Sequence, residues 1–137
     1  MAERSSYSEV TPEIVRLAEM SREAGVIDTE LFTKYDVTRG LRDLNGKGVL
    51  AGLTNISDVR ATKIVDGKSV PAEGRLFYRG YEVKDLIDGF SRDNRFGFEE
   101  VTYLLLFDKL PNTQELEDFE KLLIFYRSLP TSFVRDI

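Results

Sequence analysis

Apolar positions recur with a helical period over most of the chain, interrupted by one stretch with strand character. In "TPEIVRLAEMSREAG", Ile14, Leu17, Ala18 and Ser21 fall on one face. Thr11 is placed to cap this helix, Pro12 suits its first position, Glu13 its first turn, and Gly25 ends it. A short second helix from Asp28 carries Leu31, Phe32 and Tyr35 as its stripe. Four glycines, at 40, 46, 48 and 52, punctuate residues 36–57, which read as an irregular connector. "TKIVDGKSVPAEGRLFYRG" predicts a β-hairpin with arms near 62–65 and 76–78, Asp66-Gly67 and Glu73-Gly74 at the turn ends, and a loop kept irregular by Pro71.

The helical period then returns. Val83, Leu86, Ile87 and Phe90 form one stripe, and "SRDNRFG" reads as a loop. Residues 98–107 are apolar around most of the circumference, so this helix is expected to be buried on several sides and stopped at Leu110-Pro111. Thr113 is the expected cap of the next helix, with Glu115 in its first turn and Leu116, Phe119, Leu123 and Tyr126 along its stripe, up to Pro130. "PTSFVRDI" begins another helix, capped by Thr131 or Ser132, with about one turn present; it reads as an interrupted element. The expected fold class is mainly α, multi-helical, with one small β-hairpin.

The chemistry the chain offers is narrow. Its 137 residues carry 19 Lys and Arg against 24 Asp and Glu, a net charge of −5 that gives no general attraction to nucleic acid or anionic membrane. It has no cysteine, which removes disulfides and thiolate chemistry. It also has no histidine, the usual acid–base group near neutral pH and a common metal ligand, so self-contained acid–base catalysis is not expected. The start, "MAERSSYSEV", has no apolar core of a secretory signal, and "YLLLF" is too short to span a bilayer. A cytoplasmic location is expected.

Each candidate motif has a bland reading beside the sharp one. "YRGYEVK" and "RFGFEEV" begin like an RNA-stacking motif, but acids stand where a base would stack. "NGKGVLAG" fits neither phosphate-loop spacing and is better read as connector. Asp66, Glu73, Asp85, Asp88, Glu99 and Glu100 are not in register for a calcium loop, and Glu99-Glu100 suits a helix N-terminus. Arg79 admits two readings: a structural arginine that pairs a carboxylate or tethers a loop, which is favoured, and a ligand contact.

Taken in order, "GVLAGLTNISDV", the Asp-Gly pair, "EGRLFYRGYEVKDL" and "FEEVTYLLLFDKLPNTQELEDF" resemble the N-terminal part of a citrate synthase over residues 39–128. The first two helices, about residues 11–36, resemble an extension of some bacterial members. The resemblance divides the chain into a flexible stretch, 1–10, an extension, 11–36, and part of the family's large helical domain, 37–137, truncated at its C-terminal end.

What it implies is a dimeric, metal-free enzyme that condenses acetyl-CoA with oxaloacetate to citrate and CoA in the tricarboxylic acid cycle. An aspartate serves as base, one histidine stabilises the enol, a second polarises the oxaloacetate carbonyl, and arginines hold the carboxylates. This chain has no histidine, and none of its aspartates matches the catalytic motif. The resemblance therefore assigns no catalytic, cofactor-binding or metal residue here, and implies a piece inactive alone whose partners are the remainder of a parent chain and a second copy. Corner packing is the implied role of Tyr78, Gly80 and Tyr81. Acyl preference, acetyl or propionyl as in 2-methylcitrate synthase, stays open, and a non-catalytic helical interaction module is the alternative of another class. Exposed apolar surface and self-association are expected of such a piece.

Overall fold

In a computed structural model, the structure describes residues 9–37, 49, 51–127 and 133. Five helices and a small antiparallel sheet follow in the order α1 (Pro12–Ala24), α2 (Glu30–Lys34), β1 (Ser57–Val65), β2 (Lys68–Tyr78), β3 (Tyr81–Glu82), α3 (Val83–Arg92), α4 (Phe98–Phe107) and α5 (Thr113–Tyr126). The helix-dominated class is as expected, but the β component is a three-stranded sheet ordered β1-β2-β3 rather than a single hairpin. Most of the glycine-rich connector, including most of "NGKGVLAG", and the interrupted last helix apart from Phe133 lie outside the described residues.

The hairpin differs from its prediction for a local reason. Asp66 (φ 50°) and Gly67 (φ 73°) both sit in the left-handed region, so they close a two-residue turn and bring Val65 opposite Lys68. The arms therefore run far longer than 62–65 and 76–78, and the expected irregular loop is strand. Pro71 is accommodated because it pairs with Thr62 beside a register irregularity between Arg60 and Thr62, where the ladder is already interrupted.

The core forms where α1, α4 and α5 meet. Tyr103 and Phe107 of α4 and Phe119 of α5 pack edge to face, with ring centroids 4.5, 5.4 and 6.0 Å apart. Leu17 and Met20 of α1 and Leu123 of α5 close around them. The inward positions of α1 are thus Leu17 and Met20, while Ala18, expected on that face, is exposed. Helix α4 has the predicted bounds, with Tyr103, Leu104 and Phe107 buried. Its burial is one-sided: Phe98 is 71% exposed and Leu106 42%. The cap of α5 is Asn112, one residue before the expected Thr113. Asn112 Oδ1 accepts from the Glu115 N–H at 2.9 Å while Glu115 Oε2 accepts from the Asn112 N–H at 3.0 Å, a reciprocal capping box.

Glu115 also accepts a hydrogen bond from Lys109 Nζ at 2.5 Å. That bond, and then the Asn112 N–H, hold its carboxyl below the ordinary value of 4.5. A carboxyl lowered in the folded state stabilises the fold above its unfolded pKa and loses that contribution as pH falls through the lowered value. We expect the unfolding midpoint to drop as pH is taken below 4.5, and Glu115→Gln to flatten part of that drop. Thermal unfolding followed across that range in both proteins checks this.

Gly97 precedes α4 and faces the Phe90 ring of α3. A Cβ there would stand 2.3 Å from Phe90 Cε1 and 2.4 Å from Cδ1, with the φ of −95° itself unstrained. The glycine is needed for space. Gly97→Ala is expected to cost about 1–3 kcal/mol through overpacking. Removing the ring as well, in the Gly97→Ala, Phe90→Ala pair, should return part of that cost. A double-mutant cycle on unfolding free energies measures the coupling.

Candidate functional site

The corner "YRGY" is built by a second two-residue hairpin turn. Tyr78 pairs with Tyr81 and Phe77 with Glu82, leaving Arg79 (φ 47°) and Gly80 (φ 86°) as the turn's central residues, both left-handed. Glycine takes this conformation freely; arginine does not, so something must hold it there.

What holds it is the side chain. The Arg79 side chain is 2% exposed, and its guanidinium donates only to backbone carbonyls at hydrogen-bond distance. Nε and Nη2 donate to Leu105 O at 3.2 and 3.0 Å, and Nη1 to Ala24 O at 3.0 Å and to Asn55 O at 3.4 Å. Ala24 is the last residue of α1 and Leu105 lies in the last turn of α4. The last four carbonyls of a helix have no partner within it and carry its partial negative charge. One planar cation therefore caps two helix C-termini and pins both to the β2–β3 turn. Asp108 Oδ1 stands 3.8 Å from Nε, at the C-cap of α4. Asn55 adds a second clip, its Nδ2 donating to Ala24 O at 2.9 Å, and the Arg79 N–H donates to Ile56 O at 2.8 Å.

This is the tethering reading of Arg79. A guanidinium spread over three carbonyls in a buried setting is not presented to a carboxylate ligand. Among Tyr78, Gly80 and Tyr81, Tyr78 is half-buried and Tyr81 is 43% exposed. The corner orients the sheet on the helices. Asn55 and the two carbonyls were not legible in the sequence, because their meeting joins residues 24, 55, 79 and 105.

The candidate carboxylates are dispersed. Asp66 sits in the first turn, Glu73 pairs with Lys84 at 3.3 Å, Glu99 with Arg127 at 2.7 Å, and Glu100 with Arg95. Among the described residues no group of three His, Cys, Asp or Glu could hold a metal ion. Nor is any described helix long and apolar enough to cross a membrane. On β2, the ring of Phe77 is approached by the guanidiniums of Arg60 and Arg75, 4.3 and 5.0 Å from its centre. Those cations are held by Asp58 and Glu82. An open groove of about 350 Å³ lies between Arg95 and Phe96 on one side and Leu116, Ile124 and Arg127 on the other. It brings together no nucleophile and base.

Comparison with known proteins gives a consistent family. A family model described as "Citrate synthase, C-terminal domain" matches residues 41–137. That description names the C-terminal domain, whereas the motifs suggest the N-terminal part. Among similar proteins, 2-methylcitrate synthase 1 of Corynebacterium glutamicum is 38% identical over 87 residues, 64% of this chain and 19% of the relative. 2-Methylcitrate synthase 2 of the same organism is 36% identical over 102 residues, 74% of this chain and 21% of the relative. The citrate synthase of Saccharolobus solfataricus is 36% identical over 74 residues, 53% of this chain and 17% of the relative. The chain thus spans about one fifth of the length of the first two relatives. No solved structure matches.

Proposed function

The chain belongs to the citrate synthase family, and from that we propose that it is the N-terminal scaffold of a longer enzyme that condenses an acyl-CoA with oxaloacetate. The single observation that carries the reading is the family match across residues 41–137. In this reading residues 37–137 are part of the large helical domain, 11–36 an extension helix pair and 1–10 a flexible lead. The motif order from Gly48 to Phe119 supports the N-terminal placement. The reacting groups lie elsewhere in the longer enzyme. Drawing a proton from a thioester's methyl group needs a base and a hydrogen-bond donor at the forming enolate. This chain has no histidine, and the buried guanidinium of Arg79 is committed to carbonyls.

Acetyl-CoA, giving citrate and CoA in the tricarboxylic acid cycle, is the proposed acyl donor. A second reading, propionyl-CoA giving 2-methylcitrate, is favoured by a specific observation: both Corynebacterium relatives are named 2-methylcitrate synthases. The enzyme is proposed to be cytoplasmic and a homo-oligomer. The open apolar side chains of Phe96 and Phe98, 92% and 71% exposed, support burial against further protein.

The test is thiol release from acetyl-CoA and from propionyl-CoA by the longer polypeptide, with and without oxaloacetate. Oxaloacetate-dependent release is expected, and the faster acyl donor decides between the two readings. No release with either donor from folded protein would overturn both and leave a non-catalytic interaction module.

A further inference from the structure

Tyr103 lies at the junction of α1, α4 and α5. It is 2% exposed, and its hydroxyl is buried without a hydrogen-bond partner. Leaving a buried hydroxyl unsatisfied costs about 1–3 kcal/mol, and native interiors generally avoid it. Phenylalanine would fill the same space without that cost.

Tyr103 also lines a small cavity of about 50 Å³, whose polar lining is Glu13 and Arg16 of α1 and Glu115 and Asp118 of α5. None of these reaches the hydroxyl directly. Arg16 is engaged by Glu13 at 3.0 Å, Glu115 by Lys109 at 2.5 Å, and Asp118 by Gln114 at 2.9 Å. A carboxylate accepts up to about four hydrogen bonds, so acceptor capacity remains on all three acids. Lys109 Nζ stands 5.9 Å from the centre of the Tyr103 ring, and Tyr103 shares the cavity wall with Glu13, Arg16, Glu115 and Asp118.

We propose that this cavity is the site of an ordered water that accepts the Tyr103 O–H and donates to the carboxylates of α1 and α5. One water needs on the order of 10–15 Å³ of such space and two to four polar partners, and both conditions are met. The lining carries three carboxylates against one guanidinium, which disfavours an anion in the same place. The water joins the three helices through one point. It makes the seating of α1 a hydrated contact on its polar side, beside the dry contact of Leu17 and Met20. This does not rest on the enzymatic reading.

A high-resolution crystal structure of the full chain, with water-to-protein NOEs at the Tyr103 ring protons, tests the proposal. Expected are a water within hydrogen-bond distance of Tyr103 Oη and of Glu13, Glu115 or Asp118, and a water cross-peak, with the Tyr103 contact and the cross-peak both lost in Tyr103→Phe. A hydroxyl donating straight to a carboxylate, or a dry cavity with no cross-peak in the unsubstituted protein, would overturn it.

Discussion

Arg79→Met is expected to lower the unfolding free energy by about 3–5 kcal/mol, since several carbonyls each lose a charged donor at about 1–3 kcal/mol apiece. Methionine keeps much of the aliphatic volume, so the loss isolates the guanidinium. Three carbonyls are left behind: Leu105, Ala24 and Asn55. Two close helix ends, where a buried cation also opposes the axial dipole for up to about 2 kcal/mol. Ala24 keeps its bond from Asn55, which bounds the loss at that end. The left-handed backbone at Arg79, φ 47°, then persists without the side chain that compensates for it. Arg79→Lys should recover less than half. An ammonium lacks the planar fork that spans Leu105 and Ala24 together. Midpoints of chemical unfolding, read against the unsubstituted chain, check both values. A loss near zero for Arg79→Met would mean that the carbonyls find other donors.

Phe119→Ala should rank beside it, at about 3–5 kcal/mol. Phe119 is 6% exposed and is the one residue of α5 that is buried. It faces Tyr103 at 5.4 Å and Phe107 at 6.0 Å, both near perpendicular, so its removal opens a cavity and breaks two edge-to-face contacts. The methionine and leucines around it can collapse only in part, because Leu17 and Met20 are fixed on α1. Phe119→Leu keeps most of the volume and should lose less than half as much. Equal losses for the two substitutions would show that the aromatic geometry, rather than the filled space, sets the stability of this junction.

Those two residues mark what was and was not readable in the sequence. Phe119 was legible as core because helical spacing alone turns Leu116, Phe119, Leu123 and Tyr126 to one side. The bounds of α4 were legible for the same reason, between Gly97 and the Leu110-Pro111 stop. The cap of α5 was missed by one residue because Asn112 and Thr113 are both good caps and the choice lies in the reciprocal bond with Glu115. The length of the hairpin was missed because Pro71 suggested a loop. Asp66-Gly67 had already fixed the turn, and the irregularity at Arg60–Thr62 absorbed the proline. The tethering role of Arg79 was readable only as a preference. Its partners are carbonyls, which every residue carries, and they come from helices 55 and 26 positions away.

The exposed apolar positions follow the same logic. Periodicity predicted that residues 98–107 would be covered on several sides, and the described residues cover one. Within the proposed function, the missing cover is the rest of the longer enzyme.

In the proposed function the corner at Arg79 is scaffold and the reacting groups lie elsewhere in the longer enzyme. Steady-state thiol release by the longer polypeptide carrying Arg79→Lys tests this most directly, measured below the variant's unfolding midpoint and beside a thermal melt. Expected is a lowered midpoint with kcat and the KM for oxaloacetate within about twofold of the unsubstituted enzyme, since only transition-state or ground-state contacts move those constants. A KM for oxaloacetate raised tenfold or more at an unchanged midpoint would contradict it, and would make Arg79 a ligand contact.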